Sequence, residues 1–136
     1  MTNEVTSVFP HDKLMRIKRS LERQGHHIEI GTQDKYLDAV GARASTMPLG
    51  AGRCSILFRK NPTRSEVIEE LIHVGQERTE RFGVMGTGYS GIQREIEAKE
   101  YLIRNRKRLG IPNVETRELI CLLRQHREEL RELEGN

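Results

Sequence analysis

The chain has 136 residues, with 23 Lys and Arg against 20 Asp and Glu, so its net charge is +3 and its length fits one domain. A charge this close to balance argues against a dedicated nucleic-acid binder, and no apolar run reaches the roughly 18 residues of a membrane span. The N-terminus lacks a secretory hydrophobic segment and the two cysteines form no CxxC pair. We therefore expect reduced thiols in a cytoplasmic protein, with neither a membrane nor a nucleic acid as partner.

The first half of the chain is predicted to hold a leader and several short elements. Residues 1–10 show no periodicity and are predicted to be flexible, and apolar residues at helical spacing then predict a helix that ends near Gly25. Four further segments have an assignable pattern: a strand at 26–30, helical turns at 34–40, a turn at 47–53 and a strand at 54–58.

The second half is predicted to be helical. Thr63 followed by Glu66 forms a capping box that starts a central helix. A glycine-rich loop at 82–91 separates it from two charged helices that are expected to form an antiparallel hairpin over 92–134. The fold class is therefore α+β, mostly helical, and residues 11–136 are expected to form a single domain.

The central helix carries a candidate metal site. Glu69, Glu70 and His73 have the spacing E-E-x-x-H, and residues three and four apart are neighbours on a helix, so their head groups can converge. In H-E-x-x-H helices the first and last residues of the motif bind zinc, and the Glu is the base for a bound water. By this geometry Glu69 and His73 are candidate ligands and Glu70 is the candidate catalytic base. A solvated polar helix face is the alternative.

The following helix offers a candidate third ligand. Glu95 lies at the edge of an apolar helix face, and a carboxylate directed toward a core needs a partner because burying an unpaired charge is costly. We interpret Glu95 as the third metal ligand, with a water as the fourth. An ion pair between Glu95 and Arg59 or Arg64 is the alternative.

The order of a strand (SILFRK), a turn (NPTRSEV), a motif helix (IEELIHVGQ), a glycine-rich loop and a helix (REIEAKEYLI) resembles the zincin-like metallopeptidase domains of bacterial polymorphic toxins. The resemblance covers residues 54–105. It implies a small sheet packed on the motif helix, and a third ligand from an Arg-Glu pair, which Arg94-Glu95 matches. In such domains an edge strand before the motif helix binds the peptide substrate by β-addition, and Ser55–Phe58 is its expected counterpart.

The same resemblance implies a biological role. It implies a protein or peptide substrate, a cognate immunity protein as partner, and delivery into a target cell as part of a larger toxin. Glu69 stands where the family has His, and a Glu69-His73-Glu95 set suits manganese about as well as zinc.

The leading hypothesis is a metal-dependent hydrolase, specifically a metallopeptidase. A non-catalytic protein-interaction domain with a structural Glu/His cluster is the second hypothesis. A nuclease that holds Mg²⁺ with the same carboxylates, and phosphate with the Arg-rich helix end at 104–108, is the third.

Overall fold

The computed structural model describes residues 7–80, 82 and 88–135, so most of the predicted leader and residues 83–87 of the glycine-rich loop lie outside the described residues. The chain divides into two compact units. The N-terminal unit is Val8–Thr79, and the C-terminal unit combines Met1–Ser7 with Glu80–Asn136. The single domain over 11–136 stays a prediction. Within the described ranges no helix is both long and apolar enough to cross a membrane.

The N-terminal unit contains three helices and a three-stranded sheet. The predicted helices and the strands at 26–30 and 54–58 are confirmed, with small shifts at their ends. In chain order the elements are α1 (His11–Arg23), β1 (His27–Ile30), α2 (Asp34–Val40), β2 (Ala44–Gly50), β3 (Arg53–Phe58) and α3 (Arg64–Thr79).

Strand β2 was not expected, and the prediction of a turn over 47–53 is wrong. Residues up to Gly50 pair antiparallel with β3, and only Ala51 and Gly52, both with positive φ, form the connection. Pro48 is compatible with a strand here because β2 lies at the edge of the sheet, where one row of backbone N–H groups needs no partner strand. Pairing with β3 overrides the local turn preference of the proline and glycines.

The sheet has the order β1-β3-β2, with β1 parallel and β2 antiparallel to the central strand. The prediction that Ser55–Phe58 is a substrate-binding edge strand is therefore wrong, because both edges of β3 are already paired. The buried apolar run Ile56-Leu57-Phe58 is typical of a central strand whose two faces are covered. Of the two edge strands, β2 is the one that packs against the motif helix.

Helix α3 packs on β2 and β3 through its apolar stripe. Val67 and Val74 are buried in the core cluster with Ile56 and Phe58, and Leu71 packs against its margin. These contacts confirm the predicted small sheet on the motif helix, and they place the flank of α3 that carries Glu70 beside β2.

The start of α3 is fixed as the sequence predicts. The backbone N–H of Thr63 donates to Glu66 Oε1 at 3.0 Å, and Glu66 N–H donates to Thr63 Oγ1 at 3.3 Å, which is a complete capping box. Phe9 is also buried here, and its N–H donates to Pro62 O at 2.9 Å. The last residues of the predicted leader therefore belong to the core of the N-terminal unit.

The C-terminal unit is a helical hairpin, as predicted. Its helices are α4 (Gly88–Arg104), α5 (Arg106–Leu109) and α6 (Asn113–Gly135). Helices α4 and α6 pack together through buried apolar residues, including Leu102 and Leu119. The predicted loop over 82–91 is wrong for residues 88–91, because α4 already begins at Gly88. The predicted continuous helix over 92–109 is interrupted at Asn105, and Gly110 ends α5 in a left-handed conformation with φ 71°.

The buried imidazole of His26 predicts a pH-dependent stability. Its Nδ1 accepts the N–H of Cys54 at 3.0 Å, and burial, followed by the positive charge of Arg78, lowers its pKa from 6.5. Below pH 6.5 the unfolded state therefore binds more protons than the folded state. The free energy of unfolding should decrease as the pH falls from 6.5 through the lowered pKa.

Urea unfolding at several pH values measures this effect. A His26→Asn variant, whose amide oxygen can replace Nδ1 as acceptor, should lose part of the acid sensitivity, whereas a matched His11→Asn change on the exposed end of α1 should leave it intact. Equal pH dependence in His26→Asn and the unchanged chain would contradict the assignment.

Candidate metal centre

Helix α3 brings the three residues of its E-E-x-x-H motif together. The ligand atoms of Glu69, Glu70 and His73 all lie within 4.8 Å of one another. Glu70 and His73 are buried, and only 16% of the Glu69 side chain is exposed. A solvated polar helix face, the alternative for this motif, does not fit these exposures. The spacing predicted from helical periodicity is therefore realised in a largely enclosed cluster.

Strand β2 supplies a hydrogen bond to the cluster. Thr46 Oγ1 donates to Glu70 Oε1 at 2.6 Å, a charge-assisted bond that fixes the position of the buried carboxylate. Thr46 pairs with Ile56 in the register of β2 on β3, which places its side chain beside α3. The sequence does not single out Thr46, because Pro48 and the following glycines obscure the strand pattern around it.

The imidazole of His73 is oriented by another residue of the same helix. Its Nδ1 lies 2.7 Å from Oε1 of Gln76, which is itself buried. An amide oxygen only accepts hydrogen bonds, so Nδ1 carries the proton and donates it. In the neutral ring Nε2 then presents its lone pair, which is the tautomer that binds a metal through Nε2. Gln76 also lies outside the predicted motif, although its i+3 spacing from His73 is visible in the sequence.

The distance between His73 and Glu69 suits two ligands of one ion. His73 Nε2 and Glu69 Oε2 are 3.7 Å apart, which is too long for a hydrogen bond. Two ligands at ~2.0–2.2 Å from a tetrahedral metal are separated by about 3.4 Å. One imidazole nitrogen and two carboxylates also form a donor set that Zn²⁺ and Mn²⁺ both accept. Glu69, Glu70 and His73 can therefore hold a divalent ion.

Glu95 lies in α4 of the C-terminal unit. Its Oε1 is 2.6 Å from Nζ of Lys99, one turn further along the same helix and itself buried. Glu95 thus has a cationic neighbour, as the ion-pair alternative expected, but the cation is a lysine. Its role as third metal ligand stays a prediction.

The two arginines named in that alternative have other contacts. Arg59 bonds to Asp38 at 2.9 Å and to the carbonyl of Ala42 at 2.8 Å. The guanidinium of Arg64 lies over the ring of Phe9, 5.5 Å from its centroid. Both arginines therefore contribute to the packing of the N-terminal unit.

Comparison with protein-family models, with curated proteins and with solved structures gives no significant match to this chain. Function must therefore be inferred from the residues of the site and from the resemblance in the sequence.

The bond from Thr46 to Glu70 predicts a measurable loss of stability. Thr46→Val keeps the shape of the side chain but removes the donor, so the buried carboxylate loses a partner at a cost of about 1–3 kcal/mol. Ser45→Ala, at the neighbouring position of β2, is the control. In urea unfolding, the free energy of unfolding should decrease clearly for Thr46→Val and stay unchanged for Ser45→Ala. Equal effects of the two substitutions would show that the bond adds no stability.

Proposed function

We propose that the chain is a metal-dependent hydrolase whose metal is held on α3, and specifically a zincin-like metallopeptidase that acts as a bacterial toxin or effector domain. The observation that carries the metal site is the approach of His73 Nε2 to Glu69 Oε2 at 3.7 Å, with Nδ1 already committed to Gln76. A divalent cation bound by both atoms would neutralise the Glu69 carboxylate, as a protonated His73 ring would do without a metal.

In this proposal Glu69 and His73 are metal ligands, with Zn²⁺ or Mn²⁺ as the ion. A bound divalent ion of this kind polarises a carbonyl group and makes water a better nucleophile at neutral pH. The carboxylate of Glu70 accepts a proton from the attacking water and then passes it to the leaving amine. Thr46 holds Glu70 Oε1 during both steps and so keeps the base in position.

The exposed edge of β2 is the proposed binding place for the substrate. It is the edge strand beside the motif helix, and Thr46 on β2 is hydrogen-bonded to the proposed base. An extended peptide added to β2 would bring its backbone carbonyls close to Glu70. This assignment replaces the expected β-addition to β3.

The biological part of the proposal depends on the sequence resemblance alone. A toxin domain of this kind would cleave a protein or peptide in a target cell and would be held inactive by an immunity protein in the producing cell. The interaction-domain and nuclease hypotheses are distinguished from it by the experiments that follow.

Substitutions of Gln76 should show that metal affinity depends on the orientation of the His73 imidazole. Gln76→Leu removes the acceptor for Nδ1–H and should weaken Zn²⁺ or Mn²⁺ binding by about 10- to 100-fold, as is usual for a residue that orients a ligand. Gln76→Glu keeps an acceptor and should bind at least as tightly as the unchanged chain. Isothermal titration with each ion provides the measurement, and equal affinities for Gln76→Leu and Gln76→Glu would contradict the role of Gln76.

Substitution of Glu70 should show that peptide hydrolysis depends on its carboxylate as the general base. Glu70→Gln should reduce peptide cleavage by about 10²- to 10⁴-fold, because the amide cannot accept the proton of the attacking water. Mass spectrometry of a proteome-derived peptide library after incubation with the metal-loaded chain measures cleavage. Glu77→Gln, on the same helix, is the control and should cleave normally.

Three outcomes distinguish the hypotheses. Cleavage retained in Glu70→Gln would exclude Glu70 as the base. Degradation of plasmid or RNA with Mg²⁺, abolished in Glu70→Gln, would instead support the nuclease hypothesis. Absence of both activities in a metal-loaded chain would support the interaction domain.

A further inference from the structure

The outer edge of β2 presents backbone groups to a further strand. Gly31 N–H donates to Phe58 O at 2.9 Å, so the backbone groups of Phe58 face β1. Because these groups alternate in direction along a strand, those of Leu57 face β2, where Ser45 is the partner of Leu57 in the register. The backbone of Ser45 therefore faces β3, and the N–H and C=O groups of Thr46 point away from it. Within the described residues no further strand pairs with this edge.

The same edge is accessible to solvent and lies beside the proposed base. Residues 47–50 are exposed, and Thr46 is half-buried. Pro48 points its backbone outward like Thr46, so its missing N–H leaves no gap in the pairing with β3. Thr46 Oγ1 donates to Glu70 Oε1 at 2.6 Å. A peptide that is hydrogen-bonded to the backbone of Thr46 therefore passes close to Glu70.

The side chains of β2 are divided between the two faces of the sheet. Thr46 faces α3, where it contacts Glu70, so the next residue, Met47, points to the opposite face. The sulfur of Met47 accepts a hydrogen bond from Tyr36 Oη at 3.6 Å, and Tyr36 belongs to α2. Met47 and Tyr36 therefore lie together on the face of the sheet that is turned away from the metal centre.

An apolar patch on this second face is open to solvent. Met47 and Tyr36 are each 39% exposed, and Val40, one turn after Tyr36 on α2, is 55% exposed. Single apolar residues are normal at a protein surface, but these three are grouped. Tyr36 contacts Met47 directly, and residues four apart are neighbours on a helix. The patch thus offers a contact for an apolar side chain next to the outer edge of β2.

We propose that the substrate is an extended peptide with a large apolar residue opposite Met47, and that Met47 and Tyr36 determine this specificity. In a strand added to β2, the residue opposite Met47 points to the same face as Met47, with the two Cβ atoms about 4.5–5.5 Å apart. Its neighbours along the peptide point to the face of Glu70, so the apolar residue lies within about two residues of the cleaved bond. The specificity rests on the proposed function, since it concerns the substrate of the same site.

Sequencing of the bonds that the metal-loaded chain cleaves in a peptide library tests the specificity. We expect Leu, Met, Phe and Tyr to be enriched at one position within about two residues of the cleaved bond. Met47→Lys should lower kcat/KM for such peptides by about tenfold and raise it for peptides with Asp or Glu at that position. Leu133→Lys, at an exposed apolar position of α6, is the control and should keep the original preference. Cleavage without this preference, or with the same preference in Met47→Lys, would overturn the proposal and leave the hydrolase supported.

A binding measurement separates failure of the specificity from failure of the hydrolysis. With divalent ions removed by a chelator, the full chain is titrated with an octapeptide that has one central Leu and with the same peptide carrying Asp in its place. The Leu peptide should bind about fivefold more tightly and should shift the amide resonances of Thr46 and Met47 in NMR spectra, and Met47→Lys should reverse the order of affinity. Such binding without any cleavage by the metal-loaded chain would contradict the hydrolase alone. Absence of binding, equal affinities, or shifts confined to residues away from β2 would overturn the proposal.

Discussion

A buried carboxylate beside a buried imidazole is the constraint on which the rest of the site depends. Glu70 and His73 are held inside by the packing of α3 on the sheet, and a charge removed from water must be met by donors or by a counter-ion. Thr46 on β2 is hydrogen-bonded to Glu70, and Gln76, on the next turn of α3, is hydrogen-bonded to His73. Each partner fixes one group in a single orientation, so the geometry of the cluster is set by the fold as much as by the motif.

The sequence was sufficient to locate this cluster but not its supporting residues. Helical periodicity and the Thr63–Glu66 capping box predicted α3 correctly, because both depend on residues three and four apart in the chain. Strand β2 depends instead on pairing with β3, which no local pattern reveals through Pro48 and the glycines. Without β2 the sequence gives no reason to single out Thr46, and it makes β3 an expected edge strand although β3 is the centre of the sheet.

The two outer strands of the sheet differ in their surroundings. Strand β2 is linked to the proposed base through Thr46, whereas β1 and α1 line a cavity of about 670 Å³.

X-ray absorption spectroscopy of the zinc-loaded chain tests the central claim most directly, since it reports the atoms that bind the ion. We expect the zinc ion to be bound by one imidazole nitrogen and by carboxylate oxygens at about 2.0–2.2 Å, and the imidazole contribution to be lost in His73→Ala. A sulfur ligand at about 2.3 Å, an unchanged spectrum in His73→Ala, or a chain that retains no divalent ion would contradict it.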